Sequence, residues 1–101
     1  MSDISRIAIT EDLTIHNALE IKQRLLDALE QHSALELDLS HVAEIDTAGL
    51  QLLLLTRREA NAKNKTMAIC AMSNNVRQTV DFCNLANYLG DLGVISDLPE
   101  A

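Results

Sequence analysis

Hydrophobic and polar residues recur with two different periods along this chain, and the two periods predict both strands and helices. In residues 34–39, leucines at every second position (35, 37 and 39) alternate with Ala34, Glu36 and Asp38, which is typical of a strand with one buried face. Residues 17–31 instead carry apolar side chains at spacings of three and four, which predicts a helix with one apolar stripe. The stripe consists of Ala18, Ile21, Leu25, Leu26 and Leu29. On the other side of this helix, Glu20 and Arg24 are expected to pair.

The remaining segments complete an alternation of strands and helices. Residues 4–9 form a short apolar run, and the continuous apolar run 66–71 predicts a central strand covered on both faces. Residues 50–63 and 75–83 have helical patterns. Shorter pieces are predicted to be extended at 13–15, helical at 85–89 and extended at 94–95. The order predicts an α/β fold, in which a small mixed β-sheet carries helices packed on it, as a single domain over residues 1–101.

Composition excludes several classes of function. The chain has 101 residues and a formal net charge of −7, so it repels phosphate backbones and anionic lipid surfaces. Aromatic residues make up 2% of the chain, too few for a base-stacking platform. We therefore expect no nucleic-acid binding and no direct membrane insertion. No segment has the length of a membrane span or the pattern of a secretion signal, which predicts a cytoplasmic protein.

The sequence lacks the common signatures of catalysis and metal binding. No catalytic triad order, glycine-rich phosphate loop or metal-ligand spacing occurs, so we expect neither enzymatic activity nor a cofactor. The three histidines have no ligand spacing and are expected to be solvated or near helix caps. Cys70 and Cys83 lie in apolar stretches and are expected to be buried thiols. Four basic residues cluster late in the second helix and just after it: Arg57, Arg58, Lys63 and Lys65. We expect them to form a solvated helix face or, alternatively, a contact with an acidic partner.

The most informative stretch precedes the second long helix. Asp46 and Thr47 stand at the start of this helix, where their oxygens can accept from unpaired backbone amides. Gly49 has no side chain, which allows another backbone segment to approach closely. Considered alone, Thr47 is a helix cap or a modification site. Asp46 is a second cap or a contact to a backbone amide, and less readily a phosphoacceptor or metal ligand.

This stretch resembles the phosphorylation-site loop of the STAS family, the anti-sigma-factor antagonists. The pattern of that family is Asp-Ser/Thr-x-Gly-Leu, and residues 46–50 are Asp-Thr-Ala-Gly-Leu. The resemblance covers nearly the whole chain. Residues 35–40 are similar to the family strand that ends in Leu-Asp-Leu-Ser, residues 13–22 to its first turn and helix, and residues 73–77 to the start of its third helix.

The resemblance implies a docking and switching function. In the family, the hydroxyl that matches Thr47 is phosphorylated by a GHKL-type serine/threonine kinase that is also an anti-sigma factor, and a PP2C-type phosphatase removes the phosphate. Binding to the kinase requires the unphosphorylated form. The resemblance assigns partner binding to the residues of the motif and of the preceding turn: Asp46, Thr47, Ala48, Gly49, Leu50, Thr14 and His16.

Departures from the antagonist pattern keep a second hypothesis open. Residues 11–14 are Glu-Asp-Leu-Thr where antagonists have Gly-Glu-Leu-Asp, Ala48 replaces a common hydroxyl residue, and Thr47 replaces the usual Ser. These features resemble the proteobacterial branch that includes chemotaxis-operon and lipid-transport STAS proteins. That resemblance implies a constitutive subunit that binds an ABC ATPase, with Thr47 as an unmodified contact residue. An enzyme or small-molecule binder is the third hypothesis, and the sequence favours it least. The sequence does not determine the oligomeric state.

Overall fold

Strands and helices alternate as the periodicity predicts. A computed structural model of the chain describes residues 3–83. In chain order the elements are β1 (Ile4–Ala8), α1 (Ala18–Gln31), β2 (Ala34–Leu39), α2 (Thr47–Ala62), β3 (Thr66–Met72) and α3 (Asn74–Phe82). The predicted α/β class, a small sheet with helices packed on it, is confirmed. The segments predicted at 85–89 and 94–95 lie outside the described residues.

The three described strands form one parallel sheet in the order β1-β2-β3. The strand predicted to be central, β3, therefore lies at an edge of the described sheet, and β2 occupies the centre. Residues such as Met67 and Ile69 face the core, whereas Cys70 is exposed. A continuous apolar run does not distinguish a strand buried on both faces from one buried on a single face with small residues on the other.

The core lies between the sheet and the helices α1 and α2. The leucines of β2 are fully buried on one face, opposite the buried stripe of α1. The stripe agrees with the prediction at Ile21, Leu25 and Leu29, while Ala18 and Leu26 are only half-buried. At about 25 cal/mol per Å² of apolar surface, burying each leucine stabilises the fold by about 1.5–3 kcal/mol, before the conformational entropy cost is counted.

Two local predictions need revision. Arg24 forms its ion pair with Glu11, at 2.6 Å, and Glu20 adds only a weaker favourable charge interaction. The Glu11 carboxylate, in the loop before α1, accepts from two guanidinium nitrogens of Arg24. The cysteines Cys70 and Cys83 are exposed and not buried, because Cys70 projects from the outer face of the edge strand and Cys83 follows the last turn of α3.

No helix in residues 3–83 combines the length and the apolar character needed to cross a bilayer.

Candidate protein-docking site

Asp46 joins the start of α2 to the loop that precedes α1. One carboxylate oxygen accepts from the backbone N–H of Gly49 at 3.0 Å, as an N-cap does, and the other accepts from the N–H of Ile15 at 3.0 Å. The Asp46 N–H in turn donates to the carbonyl of Leu13 at 3.1 Å. The N–H of Ile15, followed by that of Gly49, lowers the pKa of the Asp46 carboxyl, so the group is a carboxylate at neutral pH.

Gly49 allows α2 to approach this same loop closely. A Cβ placed on Gly49 would overlap the carbonyl oxygen of Leu13 and lie 2.9 Å from the Cβ of Leu13. Leu13 itself is fully buried and forms an isolated parallel bridge with Ile45. The glycine is therefore required by the close approach of another backbone segment, as the sequence predicts.

Thr47 is the first residue of α2 and its side chain is exposed. Asp46 fills the cap position, so the expectation that Thr47 also caps the helix is wrong. Within the described part of the chain, the Thr47 hydroxyl forms no hydrogen bond. An exposed, uncommitted hydroxyl beside a helix N-terminus is accessible to a modifying enzyme, and a phosphate there would meet the positive end of the helix dipole.

The other predicted site residues divide into exposed and supporting ones. His16 is exposed and lies near enough to Asp46 to favour the charged form of the Asp46 carboxyl. Thr14 is half-buried, and its carbonyl accepts from the N–H of Asn17 at 2.9 Å, which forms a turn. Gly49 and Leu50 are buried, Leu50 with 4% of its surface exposed. In this structure they shape the surface from beneath and present no side chain to a partner.

The segment between β2 and α2 is fixed by two further contacts. Asp38 accepts from the backbone N–H and the hydroxyl of Ser40, at 2.9 and 2.6 Å, so the Leu-Asp-Leu-Ser sequence ends the strand in a tight turn. Ser73 caps α3 through Val76 and donates to the carbonyl of Val42 at 2.7 Å. These contacts hold the first half of the connection that leads from β2 to Asp46 and Thr47.

Beside Thr47, the surface opens into an apolar groove between α1 and α2, with a volume of about 590 Å³. Ile15 and Leu19 form one wall with 69% and 76% of their surfaces exposed, and Ala48 lies at the end next to Thr47. Lys22 and Arg58 also line the groove.

Sequence reasoning missed this groove and its lining. The signal was present, because Leu19 lies outside the apolar stripe of α1, and Leu54 and Leu55 make the early part of α2 apolar nearly all round. A helix end that is apolar nearly all round is normally buried on most sides. Leu54 and Leu55 are only half-buried, and both line the groove. Apolar residues beyond what a helix needs for its core predict an exposed patch.

No group of three or more histidine, cysteine or acidic residues in positions 3–83 could hold a metal ion.

Comparison with known proteins identifies the family. The family model described as "Mlab, STAS domain" matches residues 2–94. Similar solved structures include a protein from Thermotoga maritima to which the role of an anti-sigma factor antagonist has been attributed. It has 20% identity and a TM-score of 0.78, over 88% of this chain and 78% of that one.

Two further structures share the fold. A sulfate transporter family protein from Wolinella succinogenes has 16% identity and a TM-score of 0.75, over 90% of this chain and 75% of that one. The Bacillus cell fate determinant SpoIIAA, in its phosphorylated form, has 18% identity and a TM-score of 0.67, over 87% of this chain and 81% of that one. At these identities the similarity establishes a shared fold, and the match of the family model over most of the sequence establishes more: this chain belongs to the STAS domain family.

Proposed function

We propose that this chain is a non-enzymatic regulatory module that docks a partner protein on the surface around Thr47. The observation that carries the proposal is the exposure of Ile15 and Leu19 next to Thr47. Two large apolar side chains, each exposed by more than two thirds, cost free energy in water unless another surface covers them. The hydrogen bonds of Asp46 hold this surface in one geometry, so the backbone loses little conformational entropy when a partner binds.

In the first version of the proposal, Thr47 is a reversible switch. A phosphate there would add about −1.5 to −2 charges beside the Asp46 carboxylate and the apolar wall of the groove. The added charge would oppose docking of an apolar partner surface, while the domain stays folded because the hydroxyl has no structural bond to lose. The partners would be a GHKL-type kinase that acts as an anti-sigma factor and a PP2C-type phosphatase, as the family resemblance implies. The phosphorylated form of the similar SpoIIAA supports this version.

In the second version, the module is a constitutive subunit of a lipid-transport complex and binds its ABC ATPase. The description of the matching family model, Mlab, favours this version, as does Ala48 in place of a second hydroxyl. Thr47 is then a contact residue that is never modified. Either partner would meet the module in the cytoplasm.

Affinity capture from the native host tests the docking surface. The baits are wild type, Thr47→Glu and the matched control Thr66→Glu, which places the same charge on an exposed threonine at the opposite end of the parallel strands. We expect wild type and Thr66→Glu to retain the same partner and Thr47→Glu to lose it. Equal retention by all three baits would contradict docking around Thr47.

Incubation of the purified chain with the captured partner and ATP separates the two versions. A kinase partner should transfer one phosphate to wild type and none to Thr47→Val, with the phosphorylated residue located by mass spectrometry. An ATPase partner whose activity increases on binding, with Thr47 unmodified, would establish the constitutive subunit.

A further inference from the structure

The groove between α1 and α2 has an apolar end and a cationic end. Apart from Ala48 at the end next to Thr47, its apolar lining residues are Ile15, Ala18, Leu19, Leu52, Leu54 and Leu55, and Gln51 is the one uncharged polar residue among the lining residues. Lys22 of α1 and Arg58 of α2 lie farther along the same two helices. Ala48 and Arg58 are ten residues apart on α2, so the groove extends about 15 Å along the helix.

These two cations have no anionic partner in residues 3–83, although the chain has nearly twice as many acidic as basic residues. Three other basic side chains are already paired with carboxylates, in the ion pairs Arg6–Glu36, Arg24–Glu11 and Lys63–Glu30. Beyond the cationic end, the charged residues that line the cleft between the later turns of α1 and α2 are Asp27, Glu30, Glu59 and Lys63. Lys63 pairs with Glu30, so the cleft is still net negative. This acidic cleft would repel a bound segment whose acidic residues continued past Lys22 and Arg58. The acidic residues of a bound segment are therefore expected beside these two cations and not beyond them.

We propose that this groove binds an amphipathic helix of the partner protein. Its apolar stripe would cover Ile15 and Leu19, and Asp or Glu residues about one turn farther along would meet Lys22 and Arg58. The groove is open to solvent and follows two helices, so a third helix can pack into it through side chains at spacings of three and four. The inference rests on the proposed function and specifies the chemistry of the partner at that same surface.

Two designed helical peptides test the charge rule. They share one apolar stripe and differ only in carrying Glu or Lys at the positions that would face Lys22 and Arg58. We expect the Glu peptide to shift the backbone NMR signals of residues that line the groove and to bind about tenfold more tightly than the Lys peptide at low salt. Lys22→Glu/Arg58→Glu should reverse that preference. Arg77→Glu, a reversal on α3 away from the groove, should leave it unchanged. Equal binding of both peptides, or binding of neither, would overturn the inference.

Photo-crosslinking in the host separates this inference from the proposed function. A photoreactive phenylalanine replaces Leu19 or Leu55 in the groove, and Gln78 on α3 serves as the control position. We expect the groove positions to cross-link to a partner segment with an apolar stripe and acidic residues, and the sequence of the cross-linked peptide identifies it. A partner cross-linked to a non-helical or basic segment, a second copy of this chain, or a lipid would overturn the acidic-helix inference and leave docking around Thr47 intact. If no protein is cross-linked from any position, both the acidic-helix inference and docking around Thr47 are overturned.

Discussion

The Cα of Gly49, in the first turn of α2, lies against the backbone carbonyl of Leu13 in the loop before α1. Asp46 reinforces the same junction, because its N–H donates to that carbonyl and its carboxylate binds the N–H of Ile15. The residues that surround Thr47 are therefore held by a junction between two segments more than thirty residues apart in the chain. A change at this junction should alter stability and the docking surface together.

We predict that Gly49→Ala destabilises the fold. An added Cβ must displace the Leu13 backbone, and such overpacking typically costs about 1–3 kcal/mol, more than the helix-propensity gain of about 0.5–1 kcal/mol from Gly to Ala. Urea unfolding monitored by circular dichroism measures the difference. The control is Ala48→Gly, the opposite exchange one residue away, which should cost only the propensity term. A Gly49→Ala variant as stable as wild type would show that the two backbones do not touch in solution.

The second prediction concerns the pH dependence of the Asp46 junction. The N–H of Ile15, followed by that of Gly49, holds the pKa of the Asp46 carboxyl below its ordinary value. A group with a lowered folded-state pKa contributes stability above its unfolded pKa of about 3.9, and that stability is lost as the pH falls through the lower folded-state pKa. Asparagine keeps an oxygen that can cap the helix but lacks the charge, so Asp46→Asn should be about 0.3–1 kcal/mol less stable than wild type at pH 7.

The difference between wild type and Asp46→Asn should shrink as the pH falls below about 4, because wild type then also loses its carboxylate. Urea unfolding of both proteins at several pH values between 7 and 2.5 measures it, and subtraction removes the contribution of other acids such as Asp38. A difference that stays constant across this range would mean that the Asp46 charge makes no contribution.

The third prediction concerns the exposed thiol of Cys70. Cys70 is exposed, but the surrounding protein still removes part of the water around its thiol, and this partial desolvation raises the pKa of Cys70 above its ordinary value. The charges of Glu36 and Asp38 raise it further. The thiolate is the reactive form, so in a Cys83→Ser variant Cys70 should react with a disulfide reagent in the folded state. At pH 8 the reaction should be slower than that of free cysteine and should accelerate beyond pH 9. Reaction only after unfolding would restore the sequence-based expectation of a buried thiol.

The sequence predicted the positions of individual strands and helices well, because the periodicity of each element depends only on residues within it. Residues 34–39 alternate with period two and form β2 over the same range, and α1 begins one residue after the predicted start. The helix predicted at 50–63 begins at Thr47 instead, since the Asp46 cap lets three polar or small residues join it. Patterns within one element report on that element and its immediate caps.

What the sequence could not predict depends on contacts between distant segments. The burial pattern within β3 does not reveal which strand lies beside it, so a strand at the edge of the sheet formed by residues 3–83 was predicted to be central. Glu11 competes with Glu20 for Arg24 only once the loop folds back on α1. The groove arises in the same way, because Leu19 and Leu55 come from separate helices and neither indicates a shared surface by itself.

Hydrogen–deuterium exchange of the chain, free and bound to its captured partner, tests the docking surface most directly. We predict slower exchange in the bound state for backbone amides in residues 13–22 and 47–58, which contain the Asp46 junction and line the groove. Residues of β3 and α3 should exchange at unchanged rates. Protection confined to β3 or α3, with residues 13–22 and 47–58 unaffected, would contradict docking around Thr47.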